Sequence, residues 1–211
     1  MGGMTEPITA GQFHAADGVD DWRVLYHVVS AHFRTGSFAK GVAFIGEIDR
    51  LVATAGRSPR VDLRDAGVTV TLTTRDVTLA RQISAAAAER GIPADPTAVQ
   101  LVNVTVDALV AADVLPFWRA LLGYRPIGND YLSDPLGRGP GFGFQAMDVA
   151  RPQRNRIHLD VAVPHEQAEA RVAAALAAGG RLVSDAYAPR WWVLADAEGN
   201  EACVATWMGR E

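Results

Sequence analysis

The sequence predicts an α+β chain of two domains: an antiparallel sheet with helices on one side, followed by a duplicated strand–helix–three-strand (βαβββ) domain. Three observations predict it. Residues 154–163 (RNRIHLDVAV) and 101–106 (LVNVTV) are short runs in which apolar and polar residues alternate, as in strands with one buried face. Each is followed by a turn and an apolar helical run that stops at glycine, LPFWRALLG and QAEARVAAALAAGG. Between the halves, residues 91–98 (GIPADPTA) carry two prolines among small and polar residues, the composition of a spacer. The expected domains are therefore 1–92 and 100–211, with 93–99 as linker and the two βαβββ modules near 100–147 and 155–207.

Composition narrows the function classes. The 211 residues are 49% apolar and 21% charged, enough for two cores and unlike a disordered chain. Formal net charge is −4, no basic block occurs and Lys40 is the single lysine, which argues against a nucleic-acid surface. No apolar run reaches the length of a membrane span, and residues 1–13 contain no signal-peptide core, so no membrane partner and a cytoplasmic location are expected. One cysteine, Cys203, excludes an internal disulfide.

In the first half, residues 1–10 read as a loose leader. Residues 22–33 (WRVLYHVVSAHF) alternate as a hairpin does, with His27 and His32 as ordinary strand residues. Ser37 is placed to cap a helix through SFAKGVAFIGEIDRLVATAG, which Gly56 ends. Residues 68–74 (VTVTLTT) form a strand by β-branched content. Asp76 is placed to cap VTLARQISAAAAERG, which Gly91 and Pro93 close. The expected order is β-β-α-β-α.

Trp22, the run FRTGSFAKGVAFIGEIDRLVATAG, Ser58-Pro59, VTVTLTT and LARQISAAA together resemble the pterin-4a-carbinolamine dehydratase family over about residues 10–92. The resemblance implies a lyase that dehydrates 4a-hydroxytetrahydropterin with histidines as acid/base groups. Those histidines are absent: the family's His-His-Pro positions read Arg57-Ser58-Pro59, and Arg75-Asp76 follow the strand directly. Arginine does not give up its proton and serine is a poor base unaided. The expected role is a degenerate domain that supports homodimerisation, or that holds an anionic or pterin-like ligand through Arg57 and Arg75.

In the second half, FWRALLGY (117–124), HLDV (158–161) and DAEGNE (196–201) resemble the vicinal-oxygen-chelate superfamily, which includes glyoxalase I, extradiol dioxygenases and bleomycin-type resistance proteins. The resemblance covers about residues 100–207. It implies a cup between two curved sheets, and in metal-dependent members four side chains that meet at its centre. Carried over by spacing, these are Gln100, Gln145, His158 and Cys203, with Glu201 two residues away on the same strand face. His, Cys and Glu are ordinary ligands of Zn²⁺, whereas amides are weaker oxygen donors. The expected metal set is thus His158, Cys203, Gln100 and Glu201, with a divalent metal as the minority alternative to a metal-free pocket. For proton transfer, His158 and Glu201 are the catalytic candidates. Gln100, Gln145, Trp191, Trp192, Arg156 and Arg57 are the expected ligand-binding residues, the tryptophans as a stacking wall. Residues 129–140 (NDYLSDPLGRGP) are turn-rich and expected as a mobile lid. The favoured function is small-molecule recognition in the C-terminal cup. A glyoxalase-type or pterin-type lyase or isomerase and a dimeric structural scaffold are the alternatives.

Overall fold

The computed structural model describes residues 8–25, 28–56, 58–150, 158–163, 165–206 and 208. The chain forms two compact units, Met1–Leu101 and Val102–Glu211, and their elements are mixed α and β.

The N-terminal unit opens with α1 (Ala10–His14), whose Thr9 and Gln12 form a reciprocal capping box. Strands β1 (Arg23–Leu25) and β2 (Val28–Phe33) are the expected hairpin. Helix α2 (Phe38–Ala55) starts at Ser37, whose hydroxyl accepts from Lys40 N, and ends on Gly56 at φ 65°. Strand β3 (Arg60–Arg64) has no counterpart among the expected elements. Its RVDLR pattern does alternate, but it is an exposed edge strand whose Leu63 alone packs on the core, so its apolar signal is thin. Strand β4 (Gly67–Leu72) and helix α3 (Val77–Glu89) complete an antiparallel sheet of order β1-β2-β4-β3. Val29, Ala31, Phe33, Val68, Val70 and Leu72 bury one sheet face against Phe44 and Ile48 of α2 and Leu79, Ala80 and Ile83 of α3. Trp22 anchors this core and donates from Nε1 to Ser84 Oγ at 3.0 Å.

Two local expectations change. Asp76 occupies the N-cap position of α3, but its side chain makes no cap bond. Its Oδ2 instead accepts from Thr73 N and Thr73 Oγ1 at 3.0 and 2.7 Å, closing the turn that leads into the helix. Part of the expected spacer is bonded to the sheet: Arg34 N donates to Pro93 O, Ala94 bridges Phe33, and Asp95 N donates to His32 O.

The C-terminal unit is two copies of one βαβββ topology. The first runs β5 (Asn103–Ala108), α4 (Ala111–Leu122), β6 (Arg125–Ile127), β7 (Tyr131–Ser133) and β8 (Gly141–Ala146). The second runs β9 (Leu159–Ala162), a 3₁₀ turn (His165–Gln167), α5 (Ala168–Ala177), β10 (Arg181–Tyr187), β11 (Trp191–Ala195) and β12 (Glu201–Ala205). The sheet orders are β5-β8-β7-β6 and β9-β12-β11-β10, so the first and last strands of each copy pair in parallel.

One core serves both copies. Phe117, Trp118, Leu121, Phe142 and Phe144 of the first pack with Val172, Ala175, Leu194, Ala202 and Val204 of the second. Helix α4 contains Pro116, which forgoes one helical hydrogen bond, yet the neighbouring Phe117 and Trp118 are almost fully buried and offset that loss. Within the expected lid at 129–140 Asp134 closes a turn. Burial works to raise its pKa, but its carboxylate accepts from the backbone N–H of Leu136, Arg138 and Gly139, and these bonds hold it below the usual carboxylate range.

Candidate functional site

The motif DAEGNE is a joint between the two copies. The Asp196 side chain is fully buried, and Oδ1 accepts from Glu198 N and Asn200 N, at 3.0 and 2.8 Å. Its Oδ2 accepts from Asn200 Nδ2 at 2.8 Å and from Trp118 Nε1 at 2.9 Å, across 78 residues of sequence. Glu198 reaches the other copy and accepts from Leu109 N and Val110 N, both at 2.9 Å. Helix α4 has no cap of its own, because Val110 stands at its N-cap, so Glu198 supplies one and places its charge at the positive helix end. Gly180 is the third contact: a Cβ there would lie 2.3 Å from Phe117 Cδ2. These residues carry the family-like motifs, and their work is structural.

The chemistry-bearing residues lie on the opposite face of the second sheet. In β12, Ala202 and Val204 point into the core, so Glu201, Cys203 and Ala205 point away from it. In β9, Leu159 and Val161 pack on the core, which turns Asp160 and Ala162 outward. Parallel pairing puts Cys203 opposite Asp160, and His158 precedes β9 by one residue on the same parity. One ligand atom from each of His158, Asp160 and Cys203 lies within 4.8 Å of the others. His158 Nε2 is 3.6 Å from Asp160 Oδ1, close enough for attraction when the imidazole is protonated.

Burial and exposure divide this cluster. His158 and Asp160 are 57% and 66% exposed, whereas Cys203 is buried. Burial first, then the charge of Asp160 and a hydrogen bond to it, and last the charge of Glu201 push the Cys203 thiol up to about 11. Cys203 is therefore a neutral thiol at pH 7, a poor nucleophile until something displaces its proton. Imidazole nitrogen, carboxylate oxygen and thiol sulfur are a donor set whose chemistry fits Zn²⁺ or a similar ion. A bound cation would supply Lewis acidity and lower the pKa of a coordinated water.

The other expected site residues are placed as follows. Glu201 shares the face of Cys203 and is partly buried. Gln145 is exposed on β8, in the other sheet, opposite Asp107. Gln100 lies three residues ahead of β5, exposed and within the N-terminal unit. Trp191 points to the same side as Cys203, while Trp192 packs on the core and pairs with Val204. Arg156 and Arg57 fall outside the described residues. Asp160 was not among the expected residues, although the pattern His-x-Asp on a strand already places both on one face.

Residues 103–205 match a family model described as a glyoxalase-like domain. Over that stretch the C-terminal unit is similar to a glyoxalase-like domain. Solved structures similar to it include a glyoxalase/bleomycin resistance protein/dioxygenase family enzyme from Burkholderia phytofirmans PsJN, at 22% identity, TM-score 0.38, covering 50% of this chain and 95% of that one. A glyoxalase-related enzyme from Fulvimarina pelagi is similar at 17% identity and TM-score 0.37, covering 52% and 88%. A mutant fosfomycin resistance protein, FosX, from Listeria monocytogenes, complexed with Mn(II) and dihydroxypropylphosphonic acid, is similar at 12% identity and TM-score 0.41, covering 50% and 88%. No curated protein matches the chain. Among the described residues of the whole chain, no helix is long and apolar enough to cross a membrane.

Proposed function

We propose that the glyoxalase-like unit binds a small molecule on the outward face of β9, β12 and β11, with His158, Asp160 and Cys203 as its polar centre. One observation carries the reading: three chemically different donors from two adjacent strands gather within 4.8 Å, on the face turned away from the core. His158 and Asp160 are exposed and so reachable, and between them they offer a donor, an acceptor and a charge. Cys203 forms the buried floor of the cluster.

The same cluster supports a metal-dependent lyase or isomerase as a second reading, since its donor set fits a divalent cation. In that reading Asp160 replaces the amide donors Gln100 and Gln145, and Glu201, on the same face, is the carboxylate placed to accept a substrate proton. For the N-terminal unit we propose a pterin-dehydratase-like scaffold that supports a homodimer, with no acid/base role of its own. Its His32 Nδ1 lies 2.9 Å from Thr69 Oγ1, a contact within the sheet.

Thermal unfolding of the full chain against pterins, aromatic acids, thiol conjugates and divalent metals tests these readings together. Stabilisation by an organic ligand without metal supports the binding reading. Stabilisation only in the presence of Zn²⁺, Mn²⁺, Fe²⁺ or Ni²⁺ supports the metal reading. Failure of the entire panel would leave the scaffold role.

A further inference from the structure

The same sheet face carries a second group of chemically distinctive side chains, away from the polar centre. Tyr187 ends β10 and Trp191 begins β11, and their rings stack at 4.6 Å with an interplanar angle of 24°. Tyr187 is 59% exposed, a large aromatic ring left in solvent beside a second one. The Arg190 guanidinium lies 5.3 Å from the Trp191 ring centre. Its Nε is buried and has no hydrogen-bond partner among the described residues. A buried cationic donor of this kind is costly unless an acceptor meets it.

Strand register relates this corner to the polar centre. Tyr187, Trp191, Ala205 and Ala162 form one cross-strand row, and Ser184, Val193, Cys203 and Asp160 form the next. Adjacent same-face rows are about 7 Å apart. Alanines at 205 and 162 leave little side-chain bulk between the aromatic step and His158–Asp160. Tyr187 lies three strands from Asp160, about 14 Å across the face, so only an extended ligand stacked on Tyr187 would also reach the polar centre.

We infer that Tyr187, Trp191 and Arg190 form an aromatic–cationic subsite that selects planar ligands bearing an anionic group, such as an aromatic carboxylate. The ring stacks on the exposed aromatic step, and the anion satisfies the guanidinium. This deepens the small-molecule reading given above and rests on it for the position of the ligand's far end.

Calorimetric titration of the full chain tests it with three probes: indole-3-carboxylate, the uncharged indole-3-carboxamide and acetate. The carboxylate is expected to bind, and the amide and acetate at least about tenfold more weakly, since each lacks the anion or the ring. Arg190→Gln and Tyr187→Ser should each weaken the carboxylate by about tenfold or more. Tyr187 is exposed, so its variant keeps the fold and remains informative if Arg190→Gln does not. Equal binding of carboxylate and amide, no binding of the carboxylate, or indifference to both substitutions would overturn the subsite. His158→Ala separates the two ideas. If it leaves carboxylate affinity unchanged while Tyr187→Ser abolishes it, the subsite stands without help from the polar centre. If another ligand binds through His158 and the carboxylate does not bind, the polar centre stands and the subsite falls.

Discussion

Cys203 is the residue whose surroundings say most about chemistry. Its thiol titrates near 11 because it is buried and because Asp160 lies beside it. The linkage has a definite sign. The folded pKa is above the unfolded value of about 9, so the protonated thiol's contribution is complete below pH 9 and is lost as pH rises from about 9 to 11. Thiolate absorbance against pH should give a midpoint near 11, and Asp160→Asn should lower it by removing the neighbouring charge while leaving the larger burial effect. A midpoint near 9 in the unsubstituted protein would show that Cys203 is neither buried nor coupled to Asp160. His158 and Cys203 were both legible from spacing against the family-like motifs. Asp160 was not, because the spacing of the motifs points to His158 and passes over the second outward residue of the same strand. Gln100, expected at the centre of the cup, stands three residues ahead of β5, which begins only at Asn103.

At the scale of elements, the joint between the two copies makes quantitative demands. Removing the Glu198 side chain leaves the N–H groups of Leu109 and Val110, at the entry to α4, without their acceptor, and Glu198→Ala should cost about 1 kcal/mol in denaturant unfolding. Trp118→Phe removes one of the donors to the buried Asp196 carboxylate and some packing volume. It should cost more, about 2–4 kcal/mol. Gly180→Ala presses a methyl group onto Phe117 and Ala175 O, and an overpacking cost of about 1–3 kcal/mol is expected. If all three variants unfolded like the parent, the DAEGNE turn and its partners would not be the joint described.

Elements with strong periodicity were readable in advance. The hairpin, α2, β4 and α3 stand within a few residues of their expected bounds, and Ser37 and Gly56 act as caps. What escaped was weakly patterned or depended on partners far away in sequence. Strand β3 is a charged edge, α1 is five residues long, and the turn at 129–140 is ordered by one aspartate whose reach cannot be read from composition. Asp76 shows that a correct position need not mean the expected bond.

For the whole molecule, the two units hold separate cores, one built around Trp22, Phe33 and Phe44 and the other around Phe117, Trp118 and Phe142. Fragments 1–101 and 102–211 expressed apart should each show cooperative unfolding. A C-terminal fragment that stays unfolded would mean that its core is insufficient alone. In the second unit α4 and α5 pack on each other and on the sheets of their own copies, so the two copies share one core.

In the proposed function, a ligand is recognised through the polar centre of that second sheet. Its most direct test compares ligand-induced thermal stabilisation of the full chain and of His158→Ala, using the strongest stabiliser from the panel at about 100 times its Kd. A gain of about 2.7 kcal/mol, several degrees in Tm, is expected in the unsubstituted protein, and its loss in the variant. An equal gain in both proteins would contradict it.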